Sequence, residues 1–312
     1  MLHRKPDVDP GALLRKVFGS AVPLSFQRTP DGVSTQVYRI QRGAEVFYLR
    51  TAEEAWEDLE TDAELHRRLR DLGVRVADIV HVEPFDAGIG RSAMITTEVP
   101  GVPLAQIAEP AVAASVIEEA GADLAVINQI PVTGFGFVRR RGRGWPLRAE
   151  YADYVAFAVS FLPEPWPGPL ASLFGAADLA AIEALIDYER SHPRSSAVLS
   201  HGDFDVTPVF CAGGRYTGII DFGEIRGAEP LFDLGHFHLH DTSAPLLPAL
   251  LKGYERVLAL PADHTEAIRR SAILLGLRQL CRWLGPPRRY PLDSPAVTDR
   301  VHRITELLTA RS

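Results

Sequence analysis

One stretch of the chain determines its fold: VLSHGDFDVTPVFCAGGRYTGIIDFGEIRGAEPLFDL, which runs from Val198 to Leu234. Two short apolar runs separated by Gly213-Gly214 predict a β-hairpin. Asp203 precedes this hairpin and Asp221 follows it. Because an antiparallel hairpin brings its ends together, both carboxylates are expected to meet at one site. Such a pair suits phosphoryl transfer to a hydroxyl, in which one acid serves as a base and the other holds magnesium.

The bulk properties of the 312-residue chain indicate a globular protein of one large domain or two ordinary ones. The net charge of -7 disfavours nucleic acid as the main partner and is compatible with a cationic small substrate. No secretory signal or membrane-spanning apolar run is present, and two cysteines give no disulfide framework. A cytoplasmic protein with no membrane partner is therefore expected, and the oligomeric state is not indicated.

The pattern of apolar residues changes near residue 100. Residues 36–40 and 46–50 predict paired strands, residues 53–72 an amphipathic helix, and residues 92–99 another strand. Helices are then predicted over 109–128, 157–162, 176–188, 244–258, 264–284 and 297–308. This order of strands followed by helices predicts an α+β fold with two lobes, hinged at Pro100-Gly101.

Three motifs at characteristic spacing carry a resemblance to a known family. They are Ser200-His201-Gly202-Asp203, the GIIDFG segment at 218–223, and the EPLFDL segment at 229–234. With them the chain resembles the aminoglycoside phosphotransferase family, small-molecule kinases with a protein-kinase-like fold. The resemblance implies an N-lobe over residues 1–99, with an antiparallel sheet and one helix, and a larger, mainly helical C-lobe over residues 100–312.

The resemblance also implies roles for particular residues. Asp203 would be the catalytic aspartate, Asp221 would hold Mg²⁺, and His201 and Asp233 would support the catalytic loop. ATP would bind between the lobes, with GTP left open. The implied nucleotide contacts are Gly32 and Ser34 at the phosphates, Arg50 with its partner Glu64, and the backbone of Thr97, Glu98 and Val99 at the adenine.

Two positions depart from the pattern of the family. Pro208 stands where the family has a metal-binding asparagine, so Asp205 or Thr207 would replace it as a ligand, or the second metal is lost. Arg50 stands where the family has its phosphate-binding lysine; it keeps the charge with a different shape. Its expected partner is Glu64, with Glu60 as the alternative.

These observations predict an ATP- and Mg²⁺-dependent phosphotransferase acting on a hydroxyl of a small polar molecule. The acceptor is an aminoglycoside or other antibiotic, which would make the protein a resistance enzyme, or a similar alcohol. A nucleotide-binding pseudokinase of the same fold is the first alternative. The second is a metal-dependent hydrolase built from His201, Asp203, Asp205 and the histidines at 236–240. The arginine run at 139–143 is interpreted as a solvated loop.

Overall fold

A computed structural model describes residues 7–29, 35–141, 144–241, 245–286 and 290–310 of the chain. The helices are α1 (Gly11–Phe18), α2 (Glu60–Asp71), α3 (Pro110–Ile127), α4 (Tyr154–Val159), α5 (Ala176–Ser191), α6 (Phe232–His240), α7 (Leu247–Glu255), α8 (His264–Leu284) and α9 (Pro295–Thr309). The strands are β1 (Leu24–Arg28), β2 (Val37–Arg42), β3 (Glu45–Thr51), β4 (Ile79–Asp86), β5 (Arg91–Thr97), β6 (Val102–Pro103), β7 (Pro131–Val132), β8 (Phe135–Val138), β9 (Ala149–Tyr151), β10 (Ala197–Ser200), β11 (Val209–Ala212), β12 (Arg215–Ile219) and β13 (Arg226–Ala228).

The N-terminal part is a five-stranded antiparallel sheet in the order β1-β2-β3-β5-β4. The predicted pairing of residues 36–40 with 46–50 is confirmed by the register, in which Ile40 lies opposite Phe47. Alternate residues of these strands are buried, as expected for a sheet with one covered face. Leu13 and Leu14 of α1 belong to the same apolar cluster, so α1 covers that face.

Helix α2 lies between the sheet and the rest of the molecule. Its Ala63 packs with Met94 of β5, whereas Leu65 and Leu69 join the large apolar cluster formed mainly by residues after 103. The helix begins at Glu60 and not at residue 53. The difference arises because the Glu57 carboxylate accepts the backbone N–H groups of Glu53 and Glu54, which holds this segment in a turn.

The C-terminal part is mainly helical, as predicted, and contains two small sheets. The predicted hairpin is confirmed: β11 pairs antiparallel with β12, with Val209 opposite Ile219. A second sheet, in the order β7-β10-β13-β8-β9, was not expected from the sequence. The mixed α+β class is thus confirmed, while the exact lobe boundary at residues 99 and 100 stays a prediction. Within the described residues, no helix is both long and apolar enough to cross a membrane.

Helices α3 and α7 approach each other closely because each has a glycine at the contact. A Cβ on Gly253 would lie 1.7 Å from the carbonyl oxygen of Glu118, and one on Gly121 would lie 2.3 Å from that of Leu250. Neither oxygen can retreat without moving a helix backbone. This packing matters for the site, because Asn128 follows α3, Tyr254 lies in α7, and the Tyr254 hydroxyl donates a 3.2 Å hydrogen bond to Asn128.

The Gly253→Ala variant should therefore lower the free energy of unfolding by at least about 3 kcal/mol, since overpacking here forces backbone shifts. Urea unfolding measures this. The matched control is Gly175→Ala, where a Cβ meets only the Asp178 carboxylate at 3.9 Å, and a change within about 0.5 kcal/mol is expected. Equal stability of the two variants would contradict the close packing of α3 on α7.

Candidate active site

The loop that carries Asp203 is fixed by the buried carboxylate of Asp233, at the start of α6. One oxygen of Asp233 accepts from the Ser200 hydroxyl at 2.6 Å and the Gly202 N–H at 2.9 Å. The other accepts from the His201 N–H at 2.9 Å and the Asn128 amide at 3.0 Å. These four donors replace the hydration that burial removes. Three consecutive residues ahead of Asp203 are thereby held by one side chain.

His201 connects this loop to the segment that carries Asp221. Its Nε2–H donates to the carbonyl oxygen of Ile220 at 2.9 Å, and its ring is fully buried between Phe204 and Phe222. A second link is the Ile220 N–H, which donates to the Pro208 carbonyl at 3.0 Å. Pro208 thus contributes a backbone acceptor, and its ring carries no atom that could bind a metal.

Gly202 is required at the turn between His201 and Asp203. Its φ is +89°, and an added Cβ would lie 2.0 Å from the carbonyl oxygen of Glu224. Any side chain would both strain the backbone and displace the segment after Asp221. The close approach of the two backbones therefore depends on the glycine of the Ser200-His201-Gly202-Asp203 motif.

The carboxylates of Asp203 and Asp221 line the same cavity, of about 140 Å³, together with Asp205, Thr207, Pro208 and Ile220. Asp221 has left-handed backbone angles, φ 65° and ψ 59°, and in the described part of the chain it is the one non-glycine residue with positive φ. Aspartate adopts this conformation more readily than most residues. The hairpin therefore brings the two acids to one place, as its geometry predicted.

Asp203 has a histidine neighbour that sequence reasoning did not assign to it. The Nε2 atom of His236, in α6, lies 3.2 Å from the Asp203 Oδ1 atom, and the His236 Nδ1–H donates to the Phe204 carbonyl at 3.0 Å. The hydrogen bond from His236 lowers the pKa of Asp203 despite its partial burial. Asp203 is thus ionised at neutral pH, and its Oδ2 has no hydrogen-bond partner within the described residues.

The oxygen set of this cavity fits a magnesium ion. Mg²⁺ prefers hard oxygen ligands and commonly binds through one or two carboxylates, with waters and substrate phosphates completing its shell. Asp221 is exposed to the cavity. Asp205 is half-buried, and its Oδ1 accepts from the Thr207 N–H at 2.6 Å. Among the described residues, no three His, Cys, Asp or Glu side chains are grouped closely enough to form a complete metal cage.

A buried cluster of charges lies next to this cavity, on the side of the N-terminal sheet. Arg50 of β3 contacts the Asp62 carboxylate of α2 at 2.5 Å, and Arg140 contacts the other oxygen of that carboxylate at 2.8 Å. Asp62 is fully buried. Burial alone would raise the pKa of Asp62, but Arg140 and Arg50 together hold it below its ordinary value.

The expectation that Arg50 pairs with Glu64 is wrong, and so is the alternative of Glu60. Glu64 is exposed to solvent and pairs instead with Arg68 at 2.7 Å. The helical spacing contains the missing signal: Asp62 lies three and seven residues before Leu65 and Leu69, on the buried stripe of α2. A carboxylate on a buried stripe requires a cationic partner. Asp62 has two such partners, Arg50 and Arg140.

The arginine run suggested a solvated loop, but the structure shows that Arg140 is mostly buried. Only 10% of its side chain is exposed, and its terminal nitrogen donates to the carbonyl oxygens of Phe222 at 3.1 Å and Gly223 at 3.0 Å. The run from 139 to 143 contains no periodicity that would distinguish Arg140 from its neighbours. Sequence reasoning therefore had no local signal for its burial.

The remaining predicted nucleotide contacts are only partly visible. Gly32 and Ser34 lie outside the described residues. Thr97 ends β5, and its N–H donates to the Asp78 carbonyl at 2.9 Å, so this group is already used within the fold. Glu98 and the buried Val99 follow, ahead of Pro100. Their contact with adenine stays a prediction.

The histidines at 236–240 lie on a helix, as predicted, and two of them are held by internal hydrogen bonds. His240 stacks on His236 with ring centroids 4.4 Å apart. The His240 Nδ1–H donates to the His236 carbonyl, and Nε2 accepts from Arg300 at 3.0 Å. Both ring nitrogens of each are therefore engaged, which leaves the hydrolase alternative without free imidazole ligands at these two positions.

The geometry agrees with the family that the motifs suggested. A sequence model of the phosphotransferase enzyme family APH matches residues 25–269. The chain belongs to this family. No curated protein sequence matches it.

Solved structures with a similar fold include aminoglycoside phosphotransferases and a provisionally assigned fructosamine-3-kinase. A thermostable mutant of the aminoglycoside phosphotransferase APH(4)-Ia, in ternary complex with AMP-PNP and hygromycin B, is 18% identical with a TM-score of 0.68; the match covers 95% of this chain and 97% of that one. A provisionally assigned aminoglycoside phosphotransferase from Ralstonia eutropha JMP134 is 16% identical, with a TM-score of 0.62 and coverage of 97% and 96%. A provisionally assigned fructosamine-3-kinase from Thermobifida fusca is 15% identical, with a TM-score of 0.61 and coverage of 96% and 98%.

These similarities support the APH kinase-like fold, with its N-terminal antiparallel sheet and helix and its helical C-terminal region. The names of the compared proteins refer to different kinds of acceptor, an aminoglycoside and a fructosamine. At identities of 15% to 18% the likeness is one of fold. The acceptor of this APH family member has to be inferred from its own residues.

The engagement of His240 predicts a pH dependence of stability. Burial, together with the neighbouring His236 and Arg300, lowers the His240 pKa from 6.5 to about 3. Between these two values the unfolded chain binds a proton that the folded protein does not, so stability falls as the pH drops below 6.5. At pH 5 this loss is about 2 kcal/mol relative to pH 8. His240→Gln should remove this part of the slope in urea unfolding measured from pH 5 to 8; an unchanged slope would contradict the assignment.

Proposed function

We propose that this protein is an ATP- and Mg²⁺-dependent kinase that transfers the γ-phosphate to a hydroxyl of a small molecule. The observation that carries the proposal is that Asp203 and Asp221 line one 140 Å³ cavity, held there by backbone hydrogen bonds from their own loops. The family supports the class of reaction, and AMP-PNP in the complex of APH(4)-Ia supports the choice of nucleotide.

Asp203 acts on the acceptor in this proposal. Its low pKa makes it a weak base, so its main task is to orient the hydroxyl toward the phosphate through the free Oδ2. This suits a loose phosphoryl-transfer transition state, in which the proton is needed late. His236 holds Oδ1 and so fixes the direction of the carboxylate, and His201 and Asp233 fix the loop that carries it.

The triphosphate lies between Asp221 and Arg50. Asp221, with Asp205 beside it, would hold Mg²⁺, which neutralises the phosphate oxygens and keeps them aligned for transfer. Arg50 and Arg140 share a single buried carboxylate, so the cluster keeps a surplus positive charge that favours an anion. Glu98 and Val99 would contact the adenine, and Gly32 and Ser34 the phosphates.

A nucleotide-binding protein that does not transfer phosphate is the second candidate. The observation that favours it is Pro208, which occupies the position of the asparagine ligand expected from the family. The two candidates differ in one measurement: both bind Mg-ATP in a thermal-shift assay, but only the kinase consumes ATP when a panel of hydroxyl compounds is added. The same assays with GTP in place of ATP show which nucleotide the protein uses.

Substitutions at the two acids test the assigned roles. Asp203→Ala should lower phosphoryl transfer at least ~100-fold while Mg-ATP affinity stays nearly unchanged. Asp221→Ala should weaken Mg-ATP binding as well as transfer, because it removes the ligand that bridges protein and nucleotide.

The matched control is Asp187→Ala, an exposed aspartate on α5 that pairs only with Arg190, and it should behave as the wild type. The measurements are steady-state transfer and calorimetric titration with Mg-ATP. Wild-type turnover in Asp203→Ala would refute the assignment of Asp203, and wild-type nucleotide affinity in Asp221→Ala would refute that of Asp221.

A further inference from the structure

A second cavity adjoins the one that Asp203 and Asp221 line. It has a volume of about 390 Å³ and lies between residues 104–113, the Asp205-Val206 segment, the end of α6 and Leu246. Asp205 lines both this cavity and the one that holds the two acids. His240 forms part of its wall and stacks on His236, the neighbour of Asp203. An acceptor bound here would therefore reach Asp203.

The walls of this cavity are mostly apolar. Nine of its twelve lining residues are alanine, leucine, isoleucine, valine, proline or phenylalanine. Several of them, including Ile107, Val206 and Leu246, are only half-buried, so they present apolar surface that a ligand would cover. A volume within the usual range for small-molecule sites is consistent with a ligand pocket.

The three polar residues of the wall offer few free hydrogen-bonding atoms. Both Asp241 oxygens accept backbone N–H groups at the start of α7, from Leu246 and Leu247. His240 is neutral, since its pKa is lowered to about 3 and both nitrogens are engaged. Asp205 keeps one oxygen, Oδ2, without a partner in the described parts of the chain.

Building on the proposed kinase function, we propose that the acceptor is an alcohol with an apolar ring or chain body and at most one cationic group, seated in this cavity. An acceptor with several ammonium groups would lose the water around those charges in a cavity that has only two carboxylates, Asp205 and Asp241, among its described lining residues, which is costly. An apolar body gains free energy from the same walls.

Calorimetric titration of the full-length protein without nucleotide tests this inference. The probes are a neutral aryl-alkyl alcohol, an aryl-alkyl amino alcohol with one amine, and hygromycin B. The single-amine alcohol should bind at least ~10-fold more tightly than hygromycin B. Ala108→Asp, which places a charge on an exposed lining residue, should weaken binding of the neutral alcohol at least ~10-fold. Ala111→Asp, in the first turn of α3 and outside the cavity lining, should have no effect.

Tighter binding of hygromycin B, or no binding of either apolar alcohol, would overturn the inference. The proposed function is tested separately by adding Mg-ATP. Phosphorylation of hygromycin B and of neither apolar alcohol would leave the kinase proposal standing and remove this one. Binding of the apolar alcohols without any phosphoryl transfer would support this inference and contradict the kinase proposal.

A second inference rests on a different observation, the contacts of Arg140. Arg140 contacts three segments. Its side-chain Nε contacts Asp62 of α2, and its terminal nitrogen donates to the carbonyls of Phe222 and Gly223. Its backbone carbonyl accepts the Asp58 N–H at 2.8 Å. Phe222 and Gly223 directly follow Asp221. One buried guanidinium therefore holds both the helix beneath the N-terminal sheet and the segment of the magnesium-binding aspartate.

Arg140 also changes what Arg50 is free to do. With two cations on one buried carboxylate, Arg50 can turn toward an anion while Asp62 keeps a partner. We infer that Arg140 is a positioning residue for the nucleotide: it fixes the backbone beside Asp221 and releases Arg50 for the triphosphate. This inference also depends on the proposed kinase function.

Arg140→Gln tests this role, with Arg140→Lys as a milder second variant that keeps the charge but loses the planar fork. Arg140→Gln should raise the KM for Mg-ATP at least ~10-fold and reduce the thermal shift caused by Mg-ATP, with the acceptor KM within about two-fold. Arg140→Lys should fall between this variant and the wild type. Arg139→Gln, at an exposed neighbour whose guanidinium donates to the Glu150 carbonyl, should resemble the wild type.

A purely structural role for Arg140 would lower the amount of folded enzyme and leave the KM for Mg-ATP unchanged. That outcome, in either folded variant, overturns the inference. Failure of the proposed function is distinguishable from it, because in that case the wild type itself shows no transfer.

Discussion

The geometry of the site depends on one buried carboxylate that has no ion-pair partner within the described residues. Asp233 is fully buried and accepts four hydrogen bonds, three of them from Ser200, His201 and Gly202. Burying a carboxylate is costly unless donors replace its water, so the fold is favourable only when all four donors point at it. The same requirement fixes the path of the chain into Asp203. The charge of Asp233 is thus a constraint on the loop rather than a reagent.

Further links extend from this loop without any contact between the two acids. His201 reaches the Ile220 carbonyl, and the Ile220 N–H reaches Pro208, so the residue before Asp221 is held on both sides. Two like charges in one cavity repel, and side chains alone would turn apart. Here the backbones are fixed first, by glycine at 202 and a left-handed turn at 221. The negative charge of the two carboxylates therefore remains in the cavity, where it can attract a cation.

The sequence predicted the parts of this fold that depend on local signals. The β11-β12 hairpin and the long helices followed from turn residues and apolar periodicity, and the pairing of Asp203 with Asp221 followed from the hairpin. The sheet containing β7 and β13 could not be predicted, because strands of two to four residues show no measurable alternation. The prediction of Glu64 as the partner of Arg50 rested on the family motif, whereas the buried face of α2 carries Asp62. Arg140 is buried by residues distant in sequence, which no local pattern records.

The distribution of charge across the crevice explains why the two substrates would not compete. Toward the N-terminal sheet, two guanidiniums share one carboxylate, which favours phosphate. At the centre, Asp203, Asp205 and Asp221 line a single cavity, so a nucleotide entering without a divalent ion meets three carboxylates. Toward the end of α6, the walls are apolar and their charges are mostly engaged in hydrogen bonds. In the proposed kinase, Arg50 and Arg140 would direct the triphosphate to one side of the site and leave the other side for a less polar alcohol.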